Sequence, residues 1–488
     1  MTNNVKHHSI KTNAILNTAR TVMGIIFPLI TYPYVSRVLQ VETLGMYNFS
    51  SSIISYFVLF AGLGVSNYAI REGTKYRDKP QMISTFVSEV FSINVLSMIL
   101  SYIALIIVLT IVPKFHNYSI TILILSIQMF FNTIGSPWLC NIYEDFFVIT
   151  VRTLTMQLVS LIAIFLFVKS PNDLNVYAAI TALAGGGANI FNFFYARKNY
   201  TKFRFTFVCN IKKHLKPILI LFSTSLTIVI YTSSDSTMLG FFTNDYQVGL
   251  YGSAVKIYNV IKNILSAIIV VLIPRFSVLL NTDGEKWKAE KLFSESANAL
   301  TVLMLPMVVG LCMLAEDIIY LIAGESYLAG TTSLQILSVA TFFSLYAYMF
   351  THCILVPLKK ENLVFKITLL SALTNIGLNF LFIPLWEING TAVTTIIAEI
   401  IVFALTYRYA SREINIVNIK RNFMTSLAGT MGVAIFVCIL KNFIGIGFVR
   451  LIVSIVLSVV LYIAILIIMK NDIILGALNN FREIIKGK

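Results

Sequence analysis

TLGMYNFSSSIISYF, residues 43–57, falls on QVGLYGSAVKIYNVI, residues 247–261, when the chain is shifted against itself by 204 positions. Gly45 then meets Gly249, Tyr47 meets Tyr251 and Ile53 meets Ile257. The same shift sets Arg71 over Arg275 and lays the apolar stretch before residue 43 over the one before 247 without a gap. A weaker correspondence, at a shift of 214, places YAAITALAGGGANIFNFFYARK (177–198) over TAVTTIIAEIIVFALTYRYASR (391–412). Two copies in the same orientation mark a duplicated helical bundle. Transporters use that device to expose one central site to each side of a membrane in turn.

The surrounding composition says which solvent the bundles meet. The 488 residues are 57% hydrophobic and 12% charged, with a mean hydropathy of +0.82. A soluble core cannot hide that much apolar surface, whereas a bilayer accepts it. Apolar runs long enough to cross recur at 14–36, 46–70, 83–112, 118–140, 146–168, 174–196, 217–240, 247–274, 293–323, 331–357, 364–384, 389–407, 424–440 and 451–469. The expected fold is therefore an all-α polytopic membrane protein. It has fourteen transmembrane helices, arranged as two pseudo-symmetric six-helix lobes plus two C-terminal helices. The expected lobes are 1–200 and 201–412, with 413–488 holding the last two helices and a cytoplasmic tail. The most basic connector, RKNYTKFRFTFVCNIKKHLK (197–216), links the repeats.

Lys and Arg resist translocation, so their distribution orients the chain. With the N-terminus placed in the cytoplasm, cytoplasmic segments hold 29 of the 37 basic residues and external connectors hold 5, namely Arg37, Lys114, Lys169, Lys441 and Arg450. The net charge of +15 thus reflects topology and anionic headgroups, and no nucleic-acid partner is needed to explain it. MTNNVKHHSIKTNAIL has no short apolar core followed by a small-residue cleavage site, so the first helix is expected to stay in the membrane. The five cysteines are scattered and show neither a disulfide framework nor metal spacing.

Several stretches then resemble one family. FPLITYPYVSRVLQVETLGMYNFSSSIISYFVLFAGLGVSNYAIREGTKYRD (27–78), PWLCNIYEDFFVITVR (137–152), DSTMLGFFTNDYQVGLYGSAVKIYNVIKNILSAIIVVLIPRFS (235–277) and NGTAVTTIIAE (389–399) resemble bacterial polysaccharide flippases, the Wzx-like O-antigen and capsule-unit translocators. Their superfamily also holds multidrug exporters and the lipid II flippase. The resemblance implies a V of two lobes around a cationic cavity and alternating access driven by an ion gradient or the membrane potential. It implies a cargo of an oligosaccharide unit on a polyprenyl diphosphate, and a setting in the bacterial cytoplasmic membrane with both termini inside. Polysaccharide polymerase and chain-length proteins are the expected neighbours in the assembly pathway. Where many relatives carry Trp-x-x-x-Gly-x-Glu, this chain has Trp138 and Glu144 but Ile142 in place of glycine, and the loop is read as structural.

A diphosphate head brings negative charge into a low-dielectric layer, which fixed cations offset. The first span carries Asn13, Asn17, Arg20 and Gly24 on one face, and the eighth carries Gly252, Lys256, Asn259 and Asn263 on one face. Lys256 is about 14 Å in from the outer end by helical rise. Arg20, Asn17, Lys256, Asn259 and Asn263 are the expected substrate contacts, and the lipid II flippase likewise places cations on its first and eighth helices. The bland reading of Arg20 is snorkelling to the interface. Lys262 points about 240° away from Lys256 and is expected to pair inside a bundle.

Asp235 is the single ionisable side chain between Lys216 and Asp245. Asn379, Asn375 one turn below it and Thr394 lie at matching depth in spans 11 and 12. Asp235, Asn375, Asn379 and Thr394 are the expected site for a coupling Na⁺ or H⁺, a reading the resemblance to the lipid II flippase supports. The alternative is local hydrogen bonding of Asp235 to Ser233, Ser234 or Thr237. Gln128, Asn132 and Ser136, spaced by four, suit interhelical hydrogen bonds as well as sugar hydroxyls.

The external connectors are short and poor in acid–base groups, which speaks against a membrane polymerase or glycosyltransferase. A multidrug exporter for cationic amphiphiles would favour an aromatic or acidic cavity, whereas Arg20 and Lys256 have the opposite sign.

Overall fold

The computed structural model describes residues 10–207, 210–415 and 419–476, leaving aside the side chains of 10–22, 25, 419 and 420. Every regular element among the described residues is helical. Among the described residues, twelve helices are long and apolar enough to cross a membrane. Two of them are pairs joined end to end: Ile10–Gly62 breaks at Gln40 (φ 62°, ψ 177°) and Glu361–Ala410 breaks at Glu387 (φ 48°, ψ −124°). Taking the halves separately gives the fourteen passes expected from the apolar runs.

In chain order these are α1 (10–39), α2 (41–62), α3 (Pro80–Ile111), α4 (Ser119–Gly135), α5 (Phe146–Phe167), α6 (174–199), α7 (Ile211–Phe242), α8 (Asp245–Val270), α9 (Lys286–Met313), α10 (Thr331–Phe350), α11 (361–386), α12 (388–410), α13 (Ile419–Lys441) and α14 (Phe448–Ile468). The sixth pass contains a π-helical turn at Leu183–Gly187, where LAGGG offers little side-chain packing to hold a regular helix.

The chain divides into two units, Met1–Gly249 and Leu250–Lys488, so the boundary falls inside α8, and α7 groups with the first unit. In the first unit the repeat glycines serve a steric end. A Cβ on Gly45 would stand 1.8 Å from the Asp245 carbonyl oxygen and 2.9 Å from the Gly249 nitrogen, and one on Gly249 would stand 2.1 Å from the Val41 carbonyl oxygen. The start of α2 and the start of α8 therefore meet backbone to backbone, which only hydrogen-sized side chains permit.

The basic connector between the repeats is fastened to α3. Ser84, Ser88 and Ser92 share one face of that helix at four-residue spacing. The Ser84 hydroxyl donates to the Lys202 carbonyl at 2.6 Å, Ser88 Oγ accepts from the Arg204 amide at 3.3 Å, and Ser92 Oγ accepts from the Thr206 amide at 2.9 Å. Beyond it, the fully buried His214 bonds the Tyr68 hydroxyl through Nδ1 at 2.7 Å and the Glu89 carboxylate through Nε2 at 2.8 Å. The loop 137–145 is likewise held in place. Trp138 is buried, and Asp145 caps α5 through the Val148 amide while accepting hydrogen bonds from Tyr195 and Tyr200 at 2.9 and 2.8 Å. Burial and the neighbouring Cys140 and Asp145 push the Tyr200 hydroxyl far above its ordinary range, so it remains a donor to Asp145.

In the second unit Phe276, Phe293, Met304, Leu345, Met349 and Phe350 form a close-packed core. The C-terminal pair α13–α14 packs on α9, where the Tyr462 hydroxyl donates to the Val302 carbonyl at 2.7 Å. Arg450, counted from the sequence among the external connectors, is instead a buried helical residue. Its Nε contacts Asp317 Oδ1 at 2.7 Å and its Nη2 contacts Glu316 Oε2 at 3.2 Å, tying α14 to the segment after α9. Hydrogen bonds of this kind matter more here than hydrophobicity, because lipid tails are as apolar as the helix faces they would replace.

Candidate functional site

Helix α8 presents two different faces. Tyr251, Ala254, Ile257, Tyr258, Leu265 and Ile269 are buried in the packing of the helices. The opposite face carries Lys256, Asn259 and Asn263, all exposed, with Gly252 above them partly so. Among the described residues none forms an ion pair or a hydrogen bond with the Lys256 ammonium. The expected polar stripe thus exists as one continuous surface, with its cation uncompensated.

Lys262, as its angular offset predicts, belongs to the other side. Its Nζ lies 3.0 Å from Glu399 Oε1 and 3.3 Å from the Tyr258 hydroxyl, which itself donates to Glu399 at 3.3 Å. One turn and more above, Tyr251 and Thr395 share a hydrogen bond of 3.3 Å. The buried face of α8 is therefore stitched to α12 by a charged and two hydroxyl contacts. Glu399 was missed in the sequence, although the rule that singled out Asp235 applies equally to it: it is the lone acid between Asn389 and Arg408.

The proposed ion ligands divide between the two units. In the second, Asn375, Asn379 and Thr394 come together, all nearly inaccessible. The Thr394 hydroxyl donates to Asn379 Oδ1, Asn379 Nδ2 donates to Asn375 Oδ1 at 3.3 Å, and Asn375 Nδ2 approaches Thr394 Oγ1 at 3.4 Å. The first unit holds Asp235 on α7, within electrostatic reach of Tyr56. The hydroxyls beside it engage α2: Ser55 donates to Ser233 Oγ at 2.9 Å and Thr237 donates to Ser52 Oγ at 3.0 Å. The Ser/Thr-rich composition around Asp235 is thus explained by helix–helix bonding.

Arg20 and Asn17, the expected contacts on α1, have side chains outside the described residues. On α4, Asn132 accepts from Asn189 Nδ2 at 2.7 Å, which makes it an interhelical contact with α6. Near the outer end of the first unit, Lys114 donates to the carbonyls of Gly240 and Phe241 and so caps α7. Among the described residues there is no cluster of three or more His, Cys, Asp or Glu that could hold a metal ion.

The arrangement can hold an anion beside Lys256 and its carboxamides, and a small cation beside the Asn375–Asn379–Thr394 triangle. A family model described as polysaccharide biosynthesis protein matches residues 10–280. A protein of Escherichia coli (strain K12) named as an O-antigen transporter is 22% identical over 404 residues, covering 82% of this chain and 97% of that one. Among solved structures, the lipid II flippase MurJ in an inward closed conformation superposes with a TM-score of 0.73 at 16% identity, over 95% of this chain and 100% of that one. An inward-facing multidrug resistance MATE transporter gives 0.61 at 14%, over 82% and 97%. These two likenesses establish the fold.

Proposed function

Because the chain belongs to the polysaccharide biosynthesis protein family, we propose that it is a flippase for a polyprenyl-diphosphate-linked oligosaccharide repeat unit, working by alternating access in the bacterial cytoplasmic membrane. It is a multi-pass membrane protein and a transport protein rather than an enzyme, as the named relatives are. Both termini lie in the cytoplasm, as the basic residues dictate. The observation that carries the reading is the exposed Lys256–Asn259–Asn263 stripe: a cation deep in a span, with two amides following it along the same face, suits a diphosphate and the first sugar hydroxyls. Arg20 and Asn17 on α1 are the further substrate contacts in this reading. The polyprenyl tail stays in lipid, and a polymerase and chain-length proteins take up the delivered unit.

Lys256→Ala removes the charge without disturbing the buried face of α8. Surface polysaccharide should fall at least about tenfold, the loss of one charge-assisted contact, while membrane insertion is unchanged. Normal surface polysaccharide in this variant would refute the assignment. A drug exporter, the second reading, would tolerate the same change or gain affinity for cationic amphiphiles, since a positive charge in the cavity opposes them.

The coupling ion in this reading is Na⁺ or H⁺, with Asp235 of the first unit and Asn375, Asn379 and Thr394 of the second as its candidate ligands. An acid within a span is costly unless it works, and carboxamide and hydroxyl oxygens at matched depth are what a dehydrated cation needs. Asp235→Asn should leave the protein folded and flatten the dependence of vesicle transport on the Na⁺ or pH gradient. A variant with the wild-type gradient dependence would remove Asp235 from coupling.

A further inference from the structure

A pocket of about 370 Å³ lies in the second unit, where α9 and α13 begin and the chain runs on beyond α14. Glu290, Lys291, Glu295 and Asn298 line it from the first four turns of α9, and Asn422 lines it from the first turn of α13. None of these side chains has a role in the function proposed above. Glu290 and Asn298 are about 12 Å apart along the helix axis. Trp287, one turn before Glu290, is exposed, as a residue of the aromatic belt at a membrane surface is. The pocket is thus at headgroup depth.

Its walls carry both signs of charge and two acceptors without a donor. Asn298 and Asn422 are each 5% exposed, and the Oδ1 of each has no hydrogen-bond partner. Asn298 Nδ2 donates to the Ser294 carbonyl at 2.8 Å, which leaves Oδ1 as the free end of that carboxamide. A buried acceptor left unsatisfied costs about 1–3 kcal/mol, so a ligand that brings N–H donors gains by filling the site. Glu290 accepts the Asn415 amide at 3.0 Å. Among the described residues neither Glu295 nor Lys291 forms an ion pair or a side-chain hydrogen bond.

That set of groups selects among ligands. A bare metal ion would suit the oxygens but would share the cavity with the Lys291 ammonium. An anion would suit Lys291 but would meet two carboxylates. A group with both signs meets neither objection. A primary ammonium has three N–H donors, enough for a carboxylate and both carboxamide oxygens, whereas a quaternary ammonium brings the charge and no donor. We propose that this pocket binds the headgroup of phosphatidylethanolamine from the leaflet at which α9 begins. The ammonium is held by Glu295, Asn298 and Asn422, and the phosphodiester by Lys291. A lipid seated there bridges α9 and α13 and so fastens the C-terminal pair to the second unit through a specific headgroup, distinct from the diffuse attraction of the basic connectors.

The test is native mass spectrometry of the full chain in detergent, titrated separately with phosphatidylethanolamine, phosphatidylcholine and phosphatidylglycerol. Wild type should retain one phosphatidylethanolamine at least about tenfold more tightly than either of the others. Glu295→Gln and Asn298→Leu should each erase that preference, Lys291→Gln should weaken all three lipids alike, and Glu285→Gln, outside the pocket, should change nothing. Equal retention of phosphatidylcholine, or an unchanged preference in Glu295→Gln, would overturn the proposal. So would displacement of the lipid by Mg²⁺, which would mark a metal site, or by an equal concentration of phosphoethanolamine, which would mark a site for a soluble zwitterion. Should the variants not fold, a photoactivatable phosphatidylethanolamine on wild type should label residues 286–298 or 421–425; labelling only elsewhere refutes it.

Discussion

Gly45→Ala and Gly249→Ala should each destabilise the first unit by about 3 kcal/mol, the upper end for overpacking a close contact. For a unit of this size the loss lowers the melting temperature by roughly 6–12 °C. The atoms that a new methyl would strike are the carbonyls of Asp245 and Val41, at 1.8 and 2.1 Å. Backbone cannot rotate aside as a side chain can, so the two helix starts would have to separate. Gly24→Ala and Gly377→Ala serve as controls, because a Cβ at either position meets nothing within 4 Å. Fluorescence-detected size-exclusion melting curves distinguish the two sets. An unchanged midpoint for Gly45→Ala would mean that the crossing is not a true backbone contact.

The second large effect concerns Lys262 and Glu399. Lys262→Met should cost about 3–5 kcal/mol, since it leaves a buried carboxylate without its cation. Glu399→Leu should cost less, because the Lys262 side chain is 25% exposed against 6% for Glu399 and can turn its ammonium outward. The double variant, with neither charge, should return close to wild type. This non-additivity is the signature of a genuine pair, and single and double changes that simply summed would deny it.

What was legible in the sequence follows from what is local. The lengths of the apolar runs gave the number and order of the passes, because a bilayer allows only satisfied helices of that length, although individual ends moved by as much as ten residues, as for 293–323 against Lys286–Met313. Spans 11 and 12 were separable although they meet at one residue, since hydropathy drops around Glu387. The two faces of α8 were readable from angles alone. Partners distant in the chain were not. Glu399 lies 137 residues from Lys262, the tyrosines on Asp145 lie 50 and 55 residues away, and the serine stripe of α3 gave no hint that it holds a connector rather than a helix. The repeated glycines were visible as a coincidence of two copies, whereas their mutual contact appeared only in three dimensions. Nor did the sequence suggest that the hydroxyls around Asp235 serve the α2–α7 contact.

The connections at Gln40 and Glu387 bear on how sidedness can be measured. Each reverses the chain through one residue of positive φ, a strained conformation that costs on the order of 1–3 kcal/mol and holds only while both flanking helices are seated. A reporter enzyme or epitope spliced there would pry apart the hairpin whose address it was meant to read. Tags belong instead at the Asn281–Glu285 turn, where Gly284 already adopts positive φ without crowding; a silent fusion at residue 40 or 387 would testify to a broken insertion, not to the far side of the bilayer.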